Sequence, residues 1–272
     1  MTAPGSPGGP GQAACPRCGG TGFEIVEKDG REFAQPCVCR RGATASPDAF
    51  LDACRIPRRY EHCSLGTFEP GNASLTASLG KAMSYCNGYP YIRPEDEGLG
   101  LLFTGDNGVG KTHLAVSVLR ELVTSKGVRG QFWDFHELIR EIKNSYNPET
   151  RTTELQVLEP VVETDVLLLD DLGAWKMTDW MNDTLFYILN SRYMAKRSTL
   201  ITTNFEDADR DKVLAADHLR RKEYLMERIG QRLRSRLMEM CVVIRMQGDD
   251  WRQNRQAGNQ TLVGGQSRPD RR

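Results

Sequence analysis

Residues Gly105-Asp106-Asn107-Gly108-Val109-Gly110-Lys111-Thr112 read G-x-x-x-x-G-K-T. No other stretch of the chain narrows its fold as far. Leu99, Leu101, Leu102 and Phe103 precede it as a short apolar run, which predicts a buried strand. His113 to Ser125 follow with Leu114, Val118 and Leu122 at helical spacing. Strand, glycine loop and helix together make a phosphate-binding loop. The glycines allow successive backbone N–H groups to turn towards one anion, and the helix N-terminus adds its positive dipole end. Lys111 is expected to reach the β- and γ-phosphates and the Thr112 hydroxyl to bind Mg²⁺, with 105–113 as the nucleotide-contacting stretch. The alternative is a glycine-rich turn that matches by chance, and the two correct flanks weigh against it.

A second motif fits the first. Val166-Leu167-Leu168-Leu169 is a continuous aliphatic run, as in a central parallel strand, and it ends in Asp170-Asp171. Ligands of open α/β sheets sit at the carboxyl ends of their strands. Asp170 is therefore expected to hold Mg²⁺, and Asp171 to orient and deprotonate an attacking water. Thr199 to Thr203 reads as another strand, ending at Asn204. From position alone, Asn204 either contacts the γ-phosphate or the water, or merely caps a turn. Further strands are expected at Gly130 to Asp134 and Val242 to Met246. Helices are expected over 74–87, 135–145, 151–159, 178–196 and 225–240. Alternating strands and helices from Leu99 to Met246 predict a five-stranded parallel sheet covered on both faces.

Upstream, Cys15-x-x-Cys18 and Cys37-x-Cys39 bracket a stretch in which Asp29-Gly30 reads as a hairpin turn. Folding back would bring the four thiolates together as a tetrahedral structural Zn²⁺ site. Four reduced, non-ligating cysteines are the alternative. Cys54, His62 and Cys63 are further candidate ligands, although such scattered residues more often serve packing. The resulting division is 1–14 disordered, 15–45 zinc-binding module, 46–66 linker, 67–248 ATPase domain and 249–272 basic tail. The chain has 272 residues, with 36 basic and 36 acidic side chains, so net charge argues neither for nor against nucleic acid. No apolar run is long enough to span a bilayer, and the Gly- and Pro-rich start is no signal peptide. A cytoplasmic location is expected, where eight cysteines point to metal ligands or buried thiols rather than disulfides.

Along 225–240, Leu225, Ile229, Leu233 and Leu237 form one stripe and Arg228, Arg232 and Arg236 a second at i, i+4 spacing. Like charges so placed repel. They form either a solvated basic face, or a surface from which an arginine reaches a neighbouring subunit's γ-phosphate or a nucleic-acid backbone.

With these blocks in order, and with Gly248-Asp-Asp-Trp-Arg252 closing the series, residues 67 to 252 resemble the AAA+ ATPases of the bacterial helicase-loader group, the DnaC and DnaI type, together with the related IstB-type transposition ATPases. The upstream cysteines and Ile56-Pro57 resemble the zinc-bearing N-terminal part of loader-like chains. The resemblance implies an AAA+ P-loop fold with the helical lid reduced or absent, and slow ATP hydrolysis that acts as a switch. Asp171 stands where many AAA+ proteins have Glu. Asn204 matches the sensor asparagine, Arg232 best matches the arginine finger and Arg228 is the runner-up. It further implies ATP-dependent homo-oligomers, replicative-helicase binding through the zinc module, and single-stranded DNA binding along Phe135 to Tyr146 with Arg140 and Lys143. Three other functions are weighed against an ATP-dependent helicase loader. A transposition helper shares the whole core, and a non-hydrolysing adaptor would use nucleotide only to build a binding surface. A small-molecule kinase would leave Asn204 and Arg232 without a role.

Overall fold

A computed structural model of the chain describes residues 23–28, 31–36, 51–89, 100–147, 149, 152–207 and 223–251. The chain divides into two units, Met1–Ser46 and Pro47–Arg272. In the first, β1 (Phe23–Lys28) and β2 (Arg31–Pro36) pair antiparallel with Lys28 opposite Arg31, while the expected turn residues 29–30 lie outside the described residues. Cys15, Cys18, Cys37 and Cys39 lie outside the described residues, as do 1–14 and 252–272.

The second unit is built on β3 (Gly100–Gly105), β4 (Gly130–Asp134), β5 (Val166–Asp170), β6 (Ser198–Thr203) and β7 (Cys241–Met246). All five are parallel, in the order β4-β5-β6-β3-β7. The helices among the described residues are α1 (Ala73–Gly88), α2 (Lys111–Lys126), α3 (Phe135–Asn144), α4 (Glu154–Glu163), α5 (Asp179–Met194) and α6 (Leu225–Met240). Aliphatic runs are continuous here because both faces of the sheet are buried. Successive residues alternate between two cores. Leu102, Leu167, Leu169 and Ile201 face the core completed by α3, α4, α5 and α6. Leu101, Phe103, Leu168 and Leu200 face the one completed by α1 and α2.

Local signals set the helix starts. Asn72, Asp134, Thr153 and Thr178 each accept a hydrogen bond from a first-turn backbone N–H. α4 departs from the expected 151–159. It runs through Pro160 to Glu163, because Val161 is buried with Val157 and Leu158. α6 departs more. Gly230 (φ 78, ψ 161) breaks it into two helical pieces, so the arginine stripe expected from one continuous helix is interrupted. The apolar stripe survives the break, with Leu225, Ile229, Leu233 and Leu237 all buried.

Residues 51–66 are not the linker expected of them. Cys54 and Cys63 are buried in the α1/α2 core, with Leu51, Ile56, Tyr60 and Leu65 packed against it. The Cys54 carbonyl accepts from the Phe132 N–H at 2.7 Å, which pins the segment to β4. Polar residues between these apolar ones hide the pattern in the sequence. Burial pushes both thiols up to about 11, and no group of three His, Cys, Asp or Glu side chains among the described residues could hold a metal. Cys54 and Cys63 are packing residues.

Candidate active site

The site forms where β3, β5 and β6 end. The phosphate loop leaves β3 at Gly105 and enters α2 through Gly110, whose φ of 98° lies in the left-handed region. Lys111 is the first residue of α2 and is buried. Its ammonium donates to the Gly105 carbonyl at 2.8 Å and the Asp106 carbonyl at 2.7 Å, so it lies folded back along the loop. Val109 is buried and braces the loop, while Asp106 and Asn107 are exposed at its tip. His113 contributes differently from its neighbours. Its half-buried ring meets Thr67 Oγ1 at 3.3 Å and packs edge-on with Phe68. Burial lowers its pKa.

Beside the loop, the Thr112 hydroxyl donates to Asp170 Oδ1 at 2.9 Å. The Thr202 hydroxyl donates to the same oxygen at 2.6 Å. Asp170 is 7% exposed. Burial pushes its carboxyl up to about 6 in spite of these two donors, which favour the charged form. A divalent cation would reverse that balance. The hydroxyl–carboxylate pair is the donor set a hard cation such as Mg²⁺ takes, so the residues present fit the metal.

Asp171 takes a left-handed φ of 58°, uncommon outside glycine but tolerated by Asp. Two contacts hold it there. Its N–H donates to Thr202 Oγ1 at 2.9 Å, and the Asn204 amide donates to its Oδ1 at 2.7 Å. The turn therefore presents two adjacent carboxylates in different settings, one buried beside Thr112 and one exposed and steered by Asn204. Asn204 thus lies in the site, which position in the sequence left open. Thr202 was not anticipated. Nothing in the sequence marks it, since a threonine after Leu200-Ile201 suits any strand.

The arginines separate. Arg228 donates from Nε to the Gly173 carbonyl at 2.8 Å and from a terminal nitrogen to the Ala174 carbonyl at 2.9 Å. It clamps the loop that follows Asp171 in the same chain. Arg232, beyond the Gly230 break, is exposed with its guanidinium 3.6 Å from the Phe186 ring centroid. Arg236 pairs with Glu239 at 2.8 Å. On α3, His136, Arg140 and Lys143 are exposed at i, i+4, i+7 spacing along one face. His136 stacks on Trp175 with centroids 4.5 Å apart, and Trp175 is 59% exposed.

Comparison with known proteins places the chain in a family and agrees with its fold. The model of the family described as IstB-like ATP binding protein matches residues 82–258. The replicative helicase loader DnaI of Bacillus subtilis (strain 168) is 30% identical over 157 residues. That match takes in 57% of this chain and 48% of DnaI, so the chain spans about half the length of that relative. The insertion sequence IS5376 putative ATP-binding protein of Geobacillus stearothermophilus is 30% identical over 93 residues, 34% of this chain and 36% of that one. Among solved structures, the crystal structure of the DnaC helicase loader aligns with a TM-score of 0.58 at 32% identity, covering 70% of this chain and 100% of that one.

Proposed function

The chain belongs to the IstB-like ATP-binding protein family, and on that premise we propose that it is an ATP-dependent loader of a replicative DNA helicase. The observation that carries a hydrolytic reading is the paired turn at the end of β5, with Asp170 on the Thr112 hydroxyl and Asp171 steered by Asn204. Lys111 exchanges its loop carbonyls for the β- and γ-phosphates of ATP. Thr112 and Asp170 would hold Mg²⁺, which would supply charge neutralisation for the phosphates. Asp171 accepts a proton from the attacking water, and Asn204 fixes the direction in which its carboxylate faces. Arg232 is the residue available to a neighbouring subunit's nucleotide, because Arg228 is committed to Gly173 and Ala174. ATP then holds an oligomer, and slow hydrolysis releases it.

Single-stranded DNA is assigned to the exposed face of α3, where Arg140 and Lys143 follow the stacked His136–Trp175 pair. Basic side chains beside aromatic ones suit an unpaired strand. Cys15, Cys18, Cys37 and Cys39 are assigned structural Zn²⁺ in a helicase-binding module, supported by the hairpin between the two pairs. A transposition helper is the second reading, favoured by the likeness to the insertion-sequence ATP-binding protein.

One experiment separates these. Tagged wild type, Lys111→Ala and Arg232→Ala are used to capture partners with and without ATP, and ATP turnover is measured in parallel. The loader reading expects ATP-dependent capture of the replicative helicase by wild type and none by Lys111→Ala. Arg232→Ala is expected to bind ATP but turn it over slowly. Capture of a transposase instead favours the second reading, and intact ATP binding without turnover favours the adaptor.

A further inference from the structure

The segment that follows β7 does not leave the sheet freely. The Gln247 N–H donates to Ser74 Oγ at 3.1 Å, and Asn72 Nδ2 donates to the Gln247 carbonyl at 2.9 Å. Four residues on, the Trp251 N–H donates to the Gly108 carbonyl of the phosphate loop at 3.2 Å. The approach is close enough to require a glycine. A Cβ at Gly108 would lie 1.8 Å from Asp250 Oδ1 and 2.9 Å from Asp250 Cα. Residues 247–251 are thus laid across the loop, anchored by α1 on one side and by Gly108 on the other. The Trp251 indole is 54% exposed, with no ring contact among the described residues.

Strand order says which part of a nucleotide this segment meets. Asp170 and Asn204 come from β5 and β6, on one side of β3, while β7 lies on the other. The carboxylates of the β5 turn fix the γ-phosphate end. The nucleoside end of a chain of phosphates held on the β3–α2 loop therefore extends towards β7 and the residues after it. We infer that Trp251 is a base-binding residue, its indole stacking on the nucleobase while the loop holds the phosphates. The inference rests on the ATP reading above. Stacking tolerates any base, since each has a π-face. Trp251 accordingly supplies affinity for nucleotides and little preference between adenine and guanine.

The test is calorimetric titration of the full chain with ATP, GTP and inorganic tripolyphosphate, each with Mg²⁺. Trp251→Ala is expected to weaken ATP and GTP alike, by about tenfold, a typical loss for one stacked base. It leaves tripolyphosphate unchanged, and Trp251→Phe restores most of the loss. Unchanged ATP affinity in Trp251→Ala overturns the inference and leaves the ATP reading standing. An equal loss of tripolyphosphate also overturns it, since Trp251 would then only order the loop. Wild type that binds tripolyphosphate but no nucleotide overturns both.

Discussion

The two ends of the central sheet both bury charge, and they satisfy it in opposite ways. At the amino ends of β5 and β6, Arg192 is 0% exposed. Its terminal nitrogens donate to the carbonyls of Val161, Val162 and Thr164 at 3.0, 3.1 and 2.8 Å, and to Asp165 and Ser198. Its Nε donates to Thr199 Oγ1 at 3.0 Å. The neighbouring Asp165 carboxylate turns instead to Arg129. Burial pulls the Arg192 guanidinium down to about 9, and carbonyls from the α4 end and the two strand starts take the place of a counter-ion. At the carboxyl ends, Lys111 rests on two loop carbonyls and Asp170 on two hydroxyls. An incoming phosphate and metal can displace or share those partners. One end spends its charge on architecture, and the other holds charge ready for a ligand.

The largest effect that sharpens this contrast is expected of Arg192→Met. It leaves a ring of buried carbonyls without a donor and should cost about 3–5 kcal/mol in urea unfolding, while folded protein still binds ATP. Lys111→Met should lose ATP binding with about 1 kcal/mol of stability or less. Equal stability losses in the two variants would break the comparison.

Next in size is the pH dependence carried by Asp170. Its folded carboxyl is raised to about 6, so the folded state binds the proton more tightly than the unfolded chain. Its contribution is most favourable in acid and is lost as pH rises from the ordinary carboxylate range through about 6. The penalty at neutral pH is about 3 kcal/mol at most. Asp170→Asn should remove it, so that the variant exceeds wild type in stability at pH 7 by more than at pH 5, yet hydrolyses no ATP. Urea midpoints of both proteins at the two pH values measure this, and a pH-independent difference contradicts it.

The smallest effect is expected of Thr202→Val, which leaves the Asp171 N–H without its 2.9 Å partner and removes one donor from Asp170. A stability loss of about 1–2 kcal/mol should accompany slower turnover with ATP affinity unchanged. Unchanged turnover would show that Thr202 does not position Asp171.

The ligand end was largely legible in the sequence because its residues are contiguous. Gly105 to Thr112 and Asp170-Asp171 each need only a strand before them to be placed, and two-sided burial accounts for the strands themselves. The architectural end was not legible. Arg192 stands at i+3 from Leu189 and i+4 from Ile188, on the apolar face of α5, but its acceptors come from segments remote in sequence. Backbone carbonyls leave no mark on residue identity. Thr202 was hidden for a similar reason, since a β-branched residue suits any strand. The split of the arginines depended on the backbone conformation of Gly230, which helical spacing cannot reveal.

That conformation has a mechanical consequence. A continuous helix would carry Arg228 and Arg232 on one face a turn apart, and a pull on either would be felt by the other. With Gly230 breaking the helix into two pieces, the Arg232 guanidinium over Phe186 is not joined to Arg228 by one rigid rod. Arg228, before the break, holds the Gly173 and Ala174 carbonyls that follow the β5 turn. A single residue without a side chain thus lets two arginines one helical turn apart in sequence serve different contacts, a pair of loop carbonyls and an aromatic ring.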